Sequence, residues 1–143
     1  MAEIIIKIVI MLILLTCGIQ DLLKKKIFLW SIFTGAVLTA ICVPFCNNIS
    51  ILDRLGGIII GITVIIISIA TKGKIGLGDG LLLCITGMGL GFWGNLELFA
   101  TALFFAAVLS IFLLILRLAD RKKSIPFVPF LLAGFIILTV AGR

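Results

Sequence analysis

Six residues supply every side-chain carboxylate in this chain of 143, and two of them stand where an apolar run meets a polar edge. Asp21 closes the first such run, and Asp79 opens the fourth from within the stretch Gly76-Leu77-Gly78-Asp79-Gly80. Two carboxyl groups within hydrogen-bonding reach cannot both ionise freely, so they share a proton and titrate as a coupled unit. The ionised member can take a proton from water while the protonated one polarises a peptide carbonyl. Such a pair hydrolyses a peptide bond with no histidine, metal or organic cofactor. Gly76 and Gly78 suit that chemistry, because a backbone without Cβ lets an extended substrate come close to Asp79.

Each acid also has a plainer reading. Gly78-Asp79-Gly80 makes a turn, and Asp is a favoured N-cap for the helix that follows. Asp21 reads equally as an interfacial acid beside Lys24, Lys25 and Lys26. The other four acids look like connector charges, solvated or locally paired: Glu3 at the N-terminus, Asp53 beside Arg54, Glu97 between two apolar runs, and Asp120 beside Arg121, Lys122 and Lys123.

The inventory narrows the chemistry further. With no histidine, Ser-His-Asp and Cys-His catalysis and histidine-ligated zinc drop out. The four cysteines, Cys17, Cys42, Cys46 and Cys84, form no CxxC pair; Cys42 and Cys46 are one helical turn apart, and membrane packing is the default for all four. The glycine string matches neither GxGxxG nor GxxxxGK[ST], and no strand precedes it, which removes nucleotide binding.

A chain that is 63% apolar and 13% charged, with mean hydropathy +1.44, belongs in a membrane. Charged or Asn/Gly-containing breaks delimit the runs Ile4 to Gln20, Ile27 to Phe45, Leu55 to Ala70, Leu81 to Trp93, Leu96 to Leu116 and Ile125 to Ala141. The expectation is therefore all-α: one domain over 1–143, a polytopic bundle of six transmembrane helices. The fourth run is shorter than the roughly 20 residues a straight span needs. It borrows Gly94 to Phe99, tilts little, or starts in a water-accessible dip, or else its boundary is imprecise. Glycine pairs Gly57/Gly61 and Gly87/Gly91 have the small-xxx-small spacing of closely packed membrane helices.

Alternating the connectors places Lys24, Lys25, Lys26, Lys72, Lys74, Arg117, Arg121, Lys122 and Lys123 on one side and Lys7, Arg54 and Arg143 on the other. The positive-inside rule then puts the basic connectors in the cytosol and both termini outside, in a multi-pass protein of the cytoplasmic membrane. The net charge of +6 is explained without nucleic acid, and the basic connectors suit anionic lipid headgroups, above all at Lys24, Lys25 and Lys26. The first run has its positive charges after the apolar stretch and no small-residue cleavage site, so it reads as a retained helix.

Three features in order carry a family resemblance. Gly76-Leu77-Gly78-Asp79 resembles the GxGD motif of intramembrane aspartyl proteases. Asp21-Leu-Leu-Lys-Lys-Lys-Ile27 and Ile125-Pro-Phe-Val-Pro-Phe-Leu131, ahead of and behind it, make the whole chain similar to the aspartic prepilin peptidases, including the small Flp-type and archaeal preflagellin enzymes. The resemblance implies an inward-facing site that cleaves the short basic leader of a prepilin, with Asp21 and Asp79 as the catalytic pair and no cofactor. Pro126 and Pro129 fall in the first turn or so of the last helix, where proline disrupts least.

The chain departs from the family pattern at Ile27-Phe28-Leu29, where Ile-Pro-Asn is usual, and at Leu81, where Lys is common. It has no cysteine-rich cytosolic insertion, so N-methylation of the new terminus is not expected. Two rivals use the same residues differently: a small proton- or cation-coupled transporter with the acids as a relay, and an inactive pilus-assembly factor that keeps the scaffold.

Overall fold

The computed structural model of the chain describes residues 2–24, 28–45, 49–72, 76–116 and 126–142. Among these residues the regular structure is entirely helical, as the composition predicts. Helix α1 (Ala2–Lys24) is followed by α2 (Leu29–Cys42) with a 3-10 turn (Val43–Phe45), then α3 (Ile51–Ala70), α4 (Leu77–Ile115) and α5 (Val128–Val140). Stretches of α1, α3 and α4 are long and apolar enough to cross a membrane, while α2 with its 3-10 turn and α5 are shorter apolar helices. Helix is what hydrocarbon demands, since a backbone group there finds no water to bond. The outer faces carry exposed Ile, Leu and Phe, consistent with that solvent.

Helix α4 merges the fourth and fifth runs, and the break between them falls at Gly91. Its φ of 76° and ψ of −175° lie where only glycine is at ease. Asn95 Nδ2 donates to the Leu83 carbonyl at 2.9 Å, and Thr86 Oγ1 donates to Asn95 Oδ1 at 2.7 Å. Residues 83 and 95 of a straight helix would stand about 18 Å apart. The 92–115 segment therefore folds back on the 77–90 segment. The fourth run does not borrow Gly94 to Phe99; it stays short, at about 20 Å.

The 77–90 segment is clamped antiparallel against α3 by a ladder of small residues. A Cβ at Gly57 would stand 2.5 Å from the Gly87 carbonyl oxygen, one at Gly61 would meet the backbone of Cys84, and one at Gly80 would lie 2.6 Å from Ile65 Cγ1. Helix α3 starts at Ile51 rather than Leu55, so Arg54 is not a connector charge. It sits in the first turn, 6% exposed, and Nη1 donates to the Met88 carbonyl at 2.8 Å. That carbonyl belongs to the last turn before the Gly91 break, where helical acceptors lose their partners and a cation is favoured.

The core joins these elements to α1 and α5. Ile6, Ile10 and Leu14 of α1 pack with Leu83, Leu98 and Leu131 in one cluster, and Cys17, Leu82 and Val128 form the centre of a second. Helix α1 thus runs from the level of the Gly91 turn, where Ile6 and Ile10 approach Gly89, down to the level where α4 and α5 begin.

Candidate active site

The ends of α1, α4 and α5 meet at one end of the bundle. Asp21 lies in the last turn of α1 and is 9% exposed. Its Oδ2 accepts a hydrogen bond from the backbone N–H of Val128 at 3.3 Å. Val128 is the first residue of α5 after the N-cap Phe127, so this N–H has no partner within its own helix. The positive end of α5 and one of its orphan donors are thereby turned on a carboxylate. Pro129 takes the second position of α5, where its missing N–H costs nothing, and Pro126 precedes the helix.

Asp79 enters from α4. It is not the N-cap: Gly76 holds that position with extended backbone, and Asp79 is the third helical residue, its N–H bonded to the Gly76 carbonyl at 3.2 Å. No side chain caps this helix start. The half-buried Asp79 carboxylate leans back toward Gly76, where a Cβ would stand 2.7 Å from Oδ2. Gly76 makes room for the acid itself. Gly78, one residue before it, is half-buried in the same turn.

Asp21 and Asp79 lie close enough for the charge of one to act on the other. Two acids separated in the chain by α2 and α3 thus come to the same end of the bundle, beside the start of the segment that carries the third sequence feature. Each acid stands at a helix N-terminus, Asp79 in the first turn of α4 and Asp21 against the start of α5, and carboxyl groups that come within hydrogen-bonding reach in such a place share a proton. Lys25, Lys26 and Lys74, which the sequence places nearby, lie outside the described residues, as do Cys46, Ile125 and the basic run at Arg121 to Lys123.

Sequence reasoning passed over Gln20. Its Nε2 donates to Ser31 Oγ at 2.8 Å and its Oε1 accepts from the Phe28 N–H at 3.3 Å, fastening the start of α2 beside Asp21. The signal was present, a lone amide at the end of an apolar run. Asn95, in the gap between the fourth and fifth apolar runs, is fully buried and bonds the Gly57 and Leu83 carbonyls and the Thr86 hydroxyl. Asp53 packs at Gly91, and Glu97, half-buried inside α4, lines a shallow cleft of about 60 Å³ with Lys7. Both are at the end of the bundle away from Asp21.

Comparison with protein-family models finds no match to this chain, and neither a curated protein nor a solved structure matches it.

Proposed function

We propose that this protein is a membrane-embedded aspartic endopeptidase that removes the basic leader from a prepilin-like precursor, Flp-type pilins included, at the cytosolic face of the cytoplasmic membrane. The observation that carries the reading is the juxtaposition of Asp21 and Asp79 at one end of the bundle, with the start of α5 bonded to Asp21. In this reading the chain crosses the membrane six times with both termini outside, the 77–90 and 92–115 segments of α4 counting as separate spans. Lys24, Lys25 and Lys26 then hold anionic lipid headgroups at the inner surface.

The chemistry follows from the pair. The ionised carboxyl takes a proton from a water held between the two acids as its oxygen attacks the scissile carbonyl carbon. The protonated carboxyl hydrogen-bonds to the carbonyl oxygen and supports the charge that develops there. The C–N bond then breaks, the leaving nitrogen receives a proton from the pair, and the dyad returns to its shared-proton state. A substrate helix must unwind for this, since its carbonyls are otherwise bonded within the helix.

The test is co-expression of a Flp-type prepilin with the protein and with Asp21→Asn and Asp79→Asn, followed by gel shift and N-terminal sequencing of the product. Loss of leader removal in both variants, each still inserted in the membrane, is expected. The size of a general acid–base contribution, about 10²–10⁴-fold, sets the scale of the loss. Full processing by either variant rejects the dyad.

A further inference from the structure

Charged side chains on the described helices gather toward two layers, with the buried Thr86–Asn95 pair between them. Lys7, Asp53, Arg54 and Glu97 make one: Lys7 and Glu97 share a cleft beside Leu90 and Gly94, Arg54 reaches Met88, and Asp53 packs at Gly91. Asp21 and Asp79, beside Gln20, make the other, with Lys72 closing α3 beyond them. Between Lys7 and Asp21, α1 carries no charge over about 20 Å, and from Asp79 to the Gly91 turn the first segment of α4 covers about the same rise. Helices α2 and α5, of 14 and 13 residues, are also about 20 Å long.

The two tryptophans of the chain divide between these layers. Trp30 is 79% exposed in the first turn of α2, next to the Ser31 that bonds Gln20. Trp93 is 69% exposed two residues past the Gly91 break. Indole rings favour the membrane–water interface, where the N–H stays wet and the ring meets lipid. Two exposed indoles at the two polar layers therefore mark both interfaces of the bilayer that fits this bundle.

We propose that the bundle seats in a locally thinned bilayer, with hydrocarbon of about 20 Å against the usual ~30 Å, and that Trp30 and Trp93 are its anchors in opposite interfaces. The lipid partner it fits best is short-chained. Helix α3 and the 92–115 segment, about 30 and 36 Å long, outrun that thickness by more than tilt absorbs, so the thinning is confined to the lipid around the shorter α2 and α5. Thinning brings water to the level of Asp21 and Asp79 without a pore through the bundle. The proposal stands whether or not those acids are catalytic.

The test reconstitutes the full-length protein in phosphatidylcholine vesicles whose monounsaturated chains run from fourteen to twenty-two carbons. The thermal unfolding midpoint is expected to be highest at fourteen or sixteen carbons and to fall as the chains lengthen. In the single-tryptophan forms Trp30→Phe and Trp93→Phe, the remaining indole is expected to be quenched about twofold more by lipid labelled near the headgroup than by lipid labelled near the chain end. A midpoint that peaks at eighteen carbons or beyond, or that ignores chain length, overturns the thinning. Stronger quenching of either indole by the chain-end label overturns its role as an anchor. If Trp93→Phe or Trp30→Phe fails to insert, tyrosine at the same position supplies the single-tryptophan form.

Discussion

Gly76 and Asp79 compete for one volume: the carboxylate fills the space that a side chain at position 76 would take, with 2.7 Å between Oδ2 and the site of a Cβ. The glycine therefore sets the direction of the acid, a job different from the open approach for substrate that the motif suggests in one dimension. Backbone freedom is not the reason, since Gly76 is extended and its φ of −64° suits any residue. What position 76 requires is the absence of Cβ.

Substitution at this exposed position separates geometry from stability. Under the proposed peptidase reading, Gly76→Ala lowers kcat for leader removal by about tenfold or more with KM little changed, because the carboxylate must swing from its place. Alanine is also a poor N-cap, at about 1 kcal/mol. Gly76→Ser supplies a good N-cap yet keeps the Cβ, so it should restore the unfolding midpoint and leave kcat low. Recovery of activity with serine would show that only the cap mattered.

The far end of α4 is held by a network whose loss should be felt in the fold. Asn95→Leu removes three buried hydrogen bonds, those to the Gly57 and Leu83 carbonyls and that from Thr86 Oγ1, whose hydroxyl keeps the Leu83 carbonyl at 3.2 Å as acceptor; each bond is worth about 1 kcal/mol. Thr86→Val removes the bond between the two side chains and leaves Asn95 its two carbonyl acceptors. We expect Asn95→Leu to lower stability in detergent more than Thr86→Val, and the double variant to cost less than the sum of the two. Denaturant titration followed by circular dichroism measures the coupling, and strict additivity would mean that the two side chains act apart.

Much of this architecture is legible in the residues. Composition gives the helical class, and the glycine spacing at Gly57, Gly61 and Gly87 points to the α3–α4 clamp that the backbone contacts display. That Asp21 and Asp79 share one end of the bundle is what the family resemblance implies, and the described start of α5, from Pro126 on, joins them there. Other features were hidden because one-dimensional polarity does not say where a polar group finds its partner. Arg54 beside Asp53 reads as a surface pair, yet the guanidinium turns inward to a carbonyl that exists as an acceptor only because Gly91 ends a helical segment. Asn95 reads as a loop residue for the same reason: its three partners lie on α3 and on the preceding segment of α4. The plainer reading of Asp79 as an N-cap falls three residues late, because Gly76 takes that position and leaves its Cβ space to the Asp79 carboxylate.

Two helical glycines give opposite predictions from the same substitution. At Gly18 a Cβ would find Val128 Cγ1 at 3.8 Å, an ordinary contact, so Gly18→Ala should gain up to about 1 kcal/mol from helix propensity. At Gly57 a Cβ would stand 2.5 Å from the Gly87 carbonyl oxygen and 2.8 Å from that of Gly91, both backbone atoms that cannot turn aside. Gly57→Ala must therefore push α3 away from the reversal in α4, at a cost of about 1–3 kcal/mol for an overpacked contact. The Asn95 bond to the Gly57 carbonyl would be strained by the same shift. Thermal unfolding of both variants in one detergent decides it: the midpoint should rise or hold for Gly18→Ala and fall for Gly57→Ala, and a fall in neither would show that α3 does not bear on the Gly91 turn.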